Sequence, residues 1–418
     1  MTQATEQIPK LRFPEFEGEW KVYTGEQITD KITKGSSPKW QGYDYQKTGV
    51  LFVTSENVRD GFLDISKPKF LPENFYIAQK SSQLKHGDVL INIVGASIGR
   101  NCVYLSKEKA CINQAVALFR VKNGFSRDFV LQVYQHARVQ NIIKGTQSES
   151  ARPNLSLTDL KQLKFIQPST SEQQKIASFL TSVDDKIGQL QRKKAALEAY
   201  KKGMMQQLFS QQIRFKDDQG NDFPDWEEKT LGDLGKTYGG LTGKTKDDFG
   251  EGALYIQYTQ LYSGDEININ NCGLVKILGH ENQNQAQYGD LFFTTSSETQ
   301  QEIALSSVLL DKPRELYLNS FCFGYRLNNR DQISPKFLSY LLKTSIMRRK
   351  IIPLAQGSTR YNISKKELMK ITILYPHPAE QQKIADFLTA LDHKIDLVNQ
   401  ELTQAQTFKK GLLQQMFI

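Results

Sequence analysis

A chain of 418 residues exceeds the size at which one hydrophobic core usually keeps growing, so two or more domains are expected, each able to bury a core of its own. Lys and Arg number 54 against 45 Asp and Glu, a formal net charge of +9, so the surface attracts polyanions and nucleic acid is the natural partner class. The charged fraction of 24% is that of ordinary folded proteins, which excludes a disordered basic tail.

The opening residues MTQATEQIPKLRFPEF are polar, with no apolar core of a signal peptide, and no run of about 18 apolar residues occurs anywhere. The chain is therefore expected in the cytoplasm, away from membranes. In the stretch FPEFEGEWK, Trp20 stands among acidic residues, and KITKGSSPKW from Lys31 reads as a small-residue, basic loop. The segments GVLFVTSENV, GDVLINIVGASIGR and CINQAVALFRV are short, rich in β-branched and aromatic residues and bounded by glycine, the pattern of strands. Helical periodicity comes next in DFVLQVYQHARVQNIIKG, then a polar loop, GTQSESARPN. From Ser171 a long amphipathic helix carries Ile176, Phe179, Val183, Ile187, Leu190, Leu197, Met204 and Leu208 mostly three and four apart, with Lys194 interrupting the stripe.

The order then repeats: FPDWEEK with Trp226, the loop GGLTGKTKDD, strands in GALYIQYTQLY, GDLFFTTSSE and FCFGYRL, a helical stretch KFLSYLLKTSIMRRKIIPL, and a loop QGSTRYN. A second long helix carries Ile384, Phe387, Leu391, Ile395, Val398, Leu402, Phe408 and Leu412. The two helical stretches, from Ser171 and from Ala379, align without gaps and share 18 of 40 residues, read directly from the chain. Upstream at the same offset, Asn154, Leu155 and Ser156 match Asn362, Ile363 and Ser364, and Arg152 falls on Arg360. Further back the likeness thins to Asn113 over Asn319, Arg120 over Arg326, and Gly87-Asp88 over Gly289-Asp290. Each half is thus a divergent α+β domain with a mixed or antiparallel sheet, followed by a nearly duplicated helix.

Both seams are narrow, as in helices that pack along each other, and Pro168 and Pro378 upstream with Glu172 and Glu380 in the first turns mark the starts. About 40 residues at 1.5 Å each make a rod of roughly 60 Å, a spacer. The simplest closed arrangement packs the two rods antiparallel about a pseudo-two-fold, with one domain at each end, and units about one DNA turn apart read half-sites on one face of a duplex. The paired loops combine glycine, hydroxyls and amides with Arg and Lys, a set suited to phosphates and base edges. Lys34, Ser36, Ser37, Lys39, Arg100 and Arg152 in the first half, and Lys244, Lys246, Ser296, Arg360 and Tyr361 in the second, are the expected DNA contacts.

Several catalytic patterns fail. GGLTGKT resembles a phosphate-binding loop, but the required glycine is Tyr238 and the preceding LGDLGKTY is too polar for a buried strand. GASIG lacks the full dinucleotide fingerprint. The histidines His86, His136, His280, His377 and His393 have no metal-ligand spacing, and Cys102, Cys111, Cys272 and Cys322 read as reduced core thiols. An adenine methyltransferase signature of the Asn/Asp-Pro-Pro-Tyr/Phe kind does not occur.

SEQQKIASFLTSVDDKI and AEQQKIADFLTALDHKI, with ARPNLSLTDLKQL and TRYNISKKELMKI ahead of them, strongly resemble the specificity subunits of type I restriction-modification systems, over essentially the whole chain. The resemblance implies two pseudo-symmetric target-recognition domains, residues 1–167 and 211–376, separated by two long antiparallel helices, 168–210 and 377–418, forming a coiled-coil spacer. It further implies that each domain reads one half of a bipartite, asymmetric double-stranded DNA target. The helices would set the gap and dock two methyltransferase subunits through Ile176, Phe179, Val183, Ile187, Leu190 and Ile384, Phe387, Leu391, Ile395, Val398. It implies a chain without catalysis, metal or bound cofactor, with S-adenosylmethionine in the methyltransferase partner, and ATP and Mg in restriction and translocase subunits.

Overall fold

The computed structural model describes residues 8–145 and 154–417, and these divide into two compact units. The first comprises Met1–Lys193 with Val398–Ile418, the second Lys194–Leu397. Each long helix therefore begins in one unit and ends in the other: the first spans Thr170–Phe209 and the second Pro378–Met416, so that Pro378 opens its helix rather than preceding it.

In the first unit the strands are β1 (Lys21–Thr24), β2 (Thr29–Lys34), β3 (Val50–Val53), β4 (Phe70–Leu71), β5 (Val89–Asn92), β6 (Asn101–Val103), β7 (Ala110–Ile112), β8 (Val116–Val121) and β9 (Lys164–Gln167). They form an antiparallel sheet of order β2-β8-β5-β6, a mixed sheet β4-β3-β7 whose β3 and β7 run parallel, and a ribbon of β1 with β9. In the second unit the strands are β10 (Glu227–Thr230), β11 (Gly235–Gly239), β12 (Phe249–Ile256), β13 (Gly273–Val275), β14 (Leu291–Thr294), β15 (Ser296–Ser297), β16 (Ser306–Val308), β17 (Leu316–Leu318), β18 (Cys322–Leu327), β19 (Tyr361–Asn362) and β20 (Thr372–Tyr375). The orders β11-β18-β14-β16, β13-β12-β17 and β10-β20 repeat the first unit's topology strand for strand, with a short β15-β19 pair added.

Local chemistry repeats with the topology. Thr24 and Thr230 each close a capping box between the first strand of their unit and the next, with Gln27 and Asp233 as partners. Ser126 and Ser334 cap equivalent helices, Arg127–Gln135 and Pro335–Lys343. The sequence reads one helix at each of these places, whereas the structure has two. The chain breaks at His136 and at Thr344, both in extended backbone, before Ala137–Gly145 and Ser345–Ile351 begin.

The long helices do more than pair with each other. Ile176, Ala177 and Leu180 at the start of the first join Leu412, Leu413, Met416 and Phe417 from the end of the second in the core of the first unit, against Trp20, Phe129 and Phe165. Reciprocally, Ile384, Ala385, Leu388 and Leu391 join Leu208 and Phe209 in the core of the second, with Phe337 and Tyr340. The predicted seam is core: Ile176, Leu190, Ile384, Leu391 and Val398 are buried and Phe179, Val183, Ile187, Phe387 and Ile395 partly so, which corrects the expectation that the five buried residues dock a partner, because they have no surface to offer one. The predicted seam missed Leu180 and Leu388, both fully buried, because each helix start is a domain core element and its apolar face is wider than a two-helix seam. Phe408 is a correction in the other direction, being 56% exposed.

Within each unit the two helical segments run antiparallel. Lys409 pairs with Asp184 at 2.6 Å in the first unit, and Lys201 with Asp392 at 2.5 Å in the second. The repeat offset carries Asp184 onto Asp392 and Lys201 onto Lys409, so these are one contact made twice. The first-turn glutamates, legible as partners of the helix dipole, also hold buried ion pairs. Glu172 accepts both Arg12 Nε and Nη2 at 2.8 Å, and Glu380 accepts Arg214 Nε and Nη2 at 3.1 and 2.7 Å. Bidentate geometry compensates the desolvation of carboxylates that are almost wholly buried.

All four cysteines are free thiols; Cys102, Cys111 and Cys322 are buried, and burial pushes each of these up to about 12. Among the described residues no helix is long and apolar enough to cross a membrane.

Candidate nucleic-acid interface

Register decides where the loops go. In the first sheet Lys34 at the end of β2 pairs with Ala117, and Asn92 at the end of β5 pairs with Val116, the first residue of β8. The loop after β2, the loop after β5 and the turn before β8 therefore leave from one end of the sheet. The second unit has the same arrangement: Gly239 pairs with Phe323 and Thr294 with Cys322, so the loops after β11 and β14 and the turn before β18 share one end.

Short pairings bring a further segment to each of these ends. Asn154 bridges Val94, and Leu155 N–H donates to the Ile93 carbonyl at 2.8 Å. Tyr361 and Asn362 of β19 pair with Ser297 and Ser296 of β15. Hence the segments that carry the described residues expected from the sequence to touch DNA leave from, or pair at, one end of their own unit's antiparallel sheet; Arg152 falls outside the described residues.

The opposite end of each sheet is locked by a buried carboxylate. Asp88 accepts Arg120 Nε and Nη2 at 2.7 Å and the Lys85 N–H at 2.6 Å. Asp290 accepts Arg326 Nε and Nη2 at 2.9 and 2.7 Å, the Gln287 N–H at 2.8 Å and the Tyr238 hydroxyl at 2.6 Å. Each carboxylate holds its arginine's pKa above the usual value through those hydrogen bonds. Burial, then the adjacent Asp290 charge, pushes the Tyr238 phenol well up. Tyr238, the residue that breaks the phosphate-loop pattern, thus has a structural task, and its ring lies across Gly324, where a Cβ would meet it at 2.1 Å. Gly235–Gly239, which runs into GGLTGKT, is a strand, but only Gly235 of it is buried, as its polar sequence leads one to expect; the loop leads only into the 3-10 turn Lys246–Asp248, with no helix to receive a phosphate.

The side chains at the loop ends fall into two groups. Lys34, Lys39, Arg100, Lys246 and Arg360 form no ion pair among the described residues, and Lys34, Lys39, Lys246 and Arg360 are exposed. Unpaired cations at one edge suit phosphates. Lys244 differs from the expectation: its side chain is 4% exposed, pairs with Glu281 at 2.6 Å and donates to the Lys276 carbonyl at 2.5 Å, so its charge is spent inside the loop. Ser36 donates to Gln79 Oε1 at 2.6 Å and Ser296 is buried, its carbonyl accepting from Tyr258, so both shape the loops from within. Ser37 and Tyr361 are half-buried.

Two exposed aromatics at these ends escaped the sequence reading: Trp40, 93% exposed, in the loop after β2, and Phe321, 59% exposed, in the turn before β18. An aromatic residue within a basic glycine- and serine-containing loop was the available signal. Among the described residues, no cluster of three or more His, Cys, Asp or Glu is placed to hold a metal ion.

A family model described as the type I restriction modification DNA specificity domain matches residues 17–199 and again 224–407. The chain belongs to this family of DNA specificity domains. It carries the family's domain twice, as the internal repeat and the two units require. Among similar proteins are two from Methanocaldococcus jannaschii, the putative type I restriction enzyme MjaX specificity subunit, 26% identical over 98% of this chain and 95% of its own length, and the MjaVIII specificity subunit, 24% identical over 96% and 92%. The fold is shared with the crystal structure of a type I restriction-modification S subunit from M. genitalium, at a TM-score of 0.60 and 15% identity over 98% of this chain and 99% of that one. A second solved chain, from work on complex assembly and conformational transition of the type I system, has a TM-score of 0.54 at 15% identity.

Proposed function

We propose that this chain reads a bipartite DNA target for a type I restriction-modification complex, each unit reading one half through the loop end of its sheet. One observation carries the reading: a duplicated frame presents unlike loops, so the same mounting addresses two different sequences. Lys34, Ser37, Lys39 and Arg100 in the first unit, and Lys246, Arg360 and Tyr361 in the second, are the contacts proposed from side-chain availability; Arg152 stays a candidate on its match to Arg360. Ser36, Lys244 and Ser296 act as loop supports.

The long helices act as the ruler and as the docking surface for two methyltransferase subunits. Their repeat supports this, because a duplicated surface suits two copies of one partner; Tyr200 and its repeat mate Phe408 are exposed aromatics on it. Chemistry resides in the partners: S-adenosylmethionine serves methyl transfer to adenine in the methyltransferase, and ATP with Mg serves the restriction and translocase subunits. Sequencing of methylated adenines in a host expressing this chain with its methyltransferase tests the reading, and two half-sites at a fixed gap are expected. Because an α-helix rises 1.5 Å per residue, a few residues inserted into the first long helix should widen the gap and leave both half-sites intact. An unchanged gap would overturn the ruler.

A further inference from the structure

Trp40 is more exposed than any other large apolar side chain among the described residues. Indole is costly to leave in water, and tryptophan is among the more buried residue types on average. The loop that carries it is nevertheless well anchored. At its base the Gly35 N–H donates to the Asn113 carbonyl at 3.1 Å, and a Cβ on Gly35 would meet the Ile112 carbonyl oxygen at 1.7 Å. At its crest Lys39–Gln41 forms a 3-10 turn closed by Gly42 in the left-handed region, φ 77°. Gln79 bridges the two arms, accepting from Ser36 Oγ and donating to Gln41 Oε1, both at 2.6 Å. Tyr43 then packs edge-on against Phe75 at 5.1 Å. The indole is held out on a preorganised support.

Charge selects its partner. Residues 31–47 hold four lysines and one aspartate, and neither Lys34 nor Lys39 has an ion-pair partner among the described residues. An apolar protein groove taking the indole would have to dehydrate those two ammonium groups. A surface offering flat π-faces flanked by negative charge satisfies all three side chains, and that combination is a nucleobase between phosphates.

We propose that Trp40 is a stacking residue for the half-site read by the first unit, its indole lying against a base of the bound duplex while Lys34 and Lys39 hold adjacent phosphates. This rests on the DNA-reading function proposed above and adds a residue and a contact chemistry to it. Insertion of an apolar side chain at a base step unstacks and kinks DNA, so flexible pyrimidine–purine steps favour it. The corresponding loop of the second unit, GGLTGKTKDD, has no tryptophan, so the contact belongs to one half-site only.

The chain supplies its own probe. Of its three tryptophans, Trp20 is buried and Trp226 half-buried, each with its indole N–H covered, so Trp40 is by far the most exposed to solvent and to a quencher. The full chain in complex with its methyltransferase subunits is titrated with a duplex carrying the site that methylated-adenine sequencing reveals. The expected result is that DNA changes the Trp40 emission and shields it from iodide. Trp40→Ala loses that response and binds roughly tenfold more weakly, with an unchanged dependence on salt because no phosphate contact is lost. Trp40→Phe recovers most of the affinity, and an unaltered thermal midpoint in both variants confirms the fold. A complex that binds its duplex with unchanged Trp40 emission, and with Trp40→Ala within about twofold of wild type, overturns the stacking role alone. A complex that binds no duplex overturns the DNA-reading function as well. An emission change on adding methyltransferase before DNA assigns the indole to a protein contact and likewise overturns the proposal.

Discussion

The loop after β2 and the loop after β11 hang from the same place in the same topology, yet they have little chemistry in common. The first combines an exposed indole with unpaired Lys34 and Lys39. The second folds Lys244 onto Glu281 and continues into Asp247 and Asp248. By contrast, the opposite end of each sheet carries the same aspartate–arginine clamp, Asp88 with Arg120 and Asp290 with Arg326. Divergence concentrates where side chains face water and a substitution is cheap. Likeness persists where a buried charge would be orphaned by losing its partner.

The comparison is broken most directly by removing a clamp. Asp290→Ala should cost about 3–5 kcal/mol, since it takes the carboxylate from Arg326, leaving it only the Gln285 carbonyl, and strands the Tyr238 hydroxyl at the same time. Asp88→Ala, which has no tyrosine to strand, should cost less, and denaturant melts of the two variants measure the difference. Equal losses would mean that Tyr238 adds nothing to the clamp. Next, Leu180→Ala and Leu388→Ala remove matched, fully buried side chains and should each cost about 3 kcal/mol; a large disparity would show that the two frames are not energetic equivalents. A smaller effect is expected of Lys39→Ala, which should weaken DNA binding severalfold and lower the slope of log affinity against log salt by about one. Lys244→Ala should leave that slope unchanged, and a loss of slope there would return Lys244 to the interface.

The smallest effect concerns pH. Burial, and then the charge of Arg138, lowers the His136 pKa below its ordinary value of 6.5, so the unfolded chain binds the proton more readily than the folded one. The first unit's stability is then full above about pH 6.5 and falls as pH drops through the lowered value. His136→Gln should flatten that part of the stability–pH curve. The second unit, with Thr344 at the matching position, has no such contribution from this site.

Much of the frame was legible because it is written twice. The long-helix periods, the first-turn glutamates Glu172 and Glu380, and the pairs Asn113 with Asn319 and Arg120 with Arg326 all survive in one-dimensional comparison. The buried pairing of Arg12 with Glu172 was not, since it joins residues 160 apart and a lone arginine in a polar opening segment gives no periodic signal. Nor was the break at His136, where a continuous helical pattern is overridden by packing. At the loop ends the residue types were readable, but whether a cation is free or spent depends on a partner far along the chain, as Glu281 is for Lys244. Trp40 was passed over because an isolated aromatic in a loop has no spacing against which to be recognised.

The exchange of helix ends between units also orders events during synthesis. Phe417 packs against Trp20 and Phe129, and Leu11 N–H donates to the Gln415 carbonyl at 2.9 Å. The first unit, although begun first on the ribosome, cannot close its core until residues 412–417 have been made, after the whole of the second unit. Contacts of such long sequence separation form late and slowly. A chain interrupted before Leu412 would lack the side chains that close the core around Trp20, so completion of the first unit reports completion of the second.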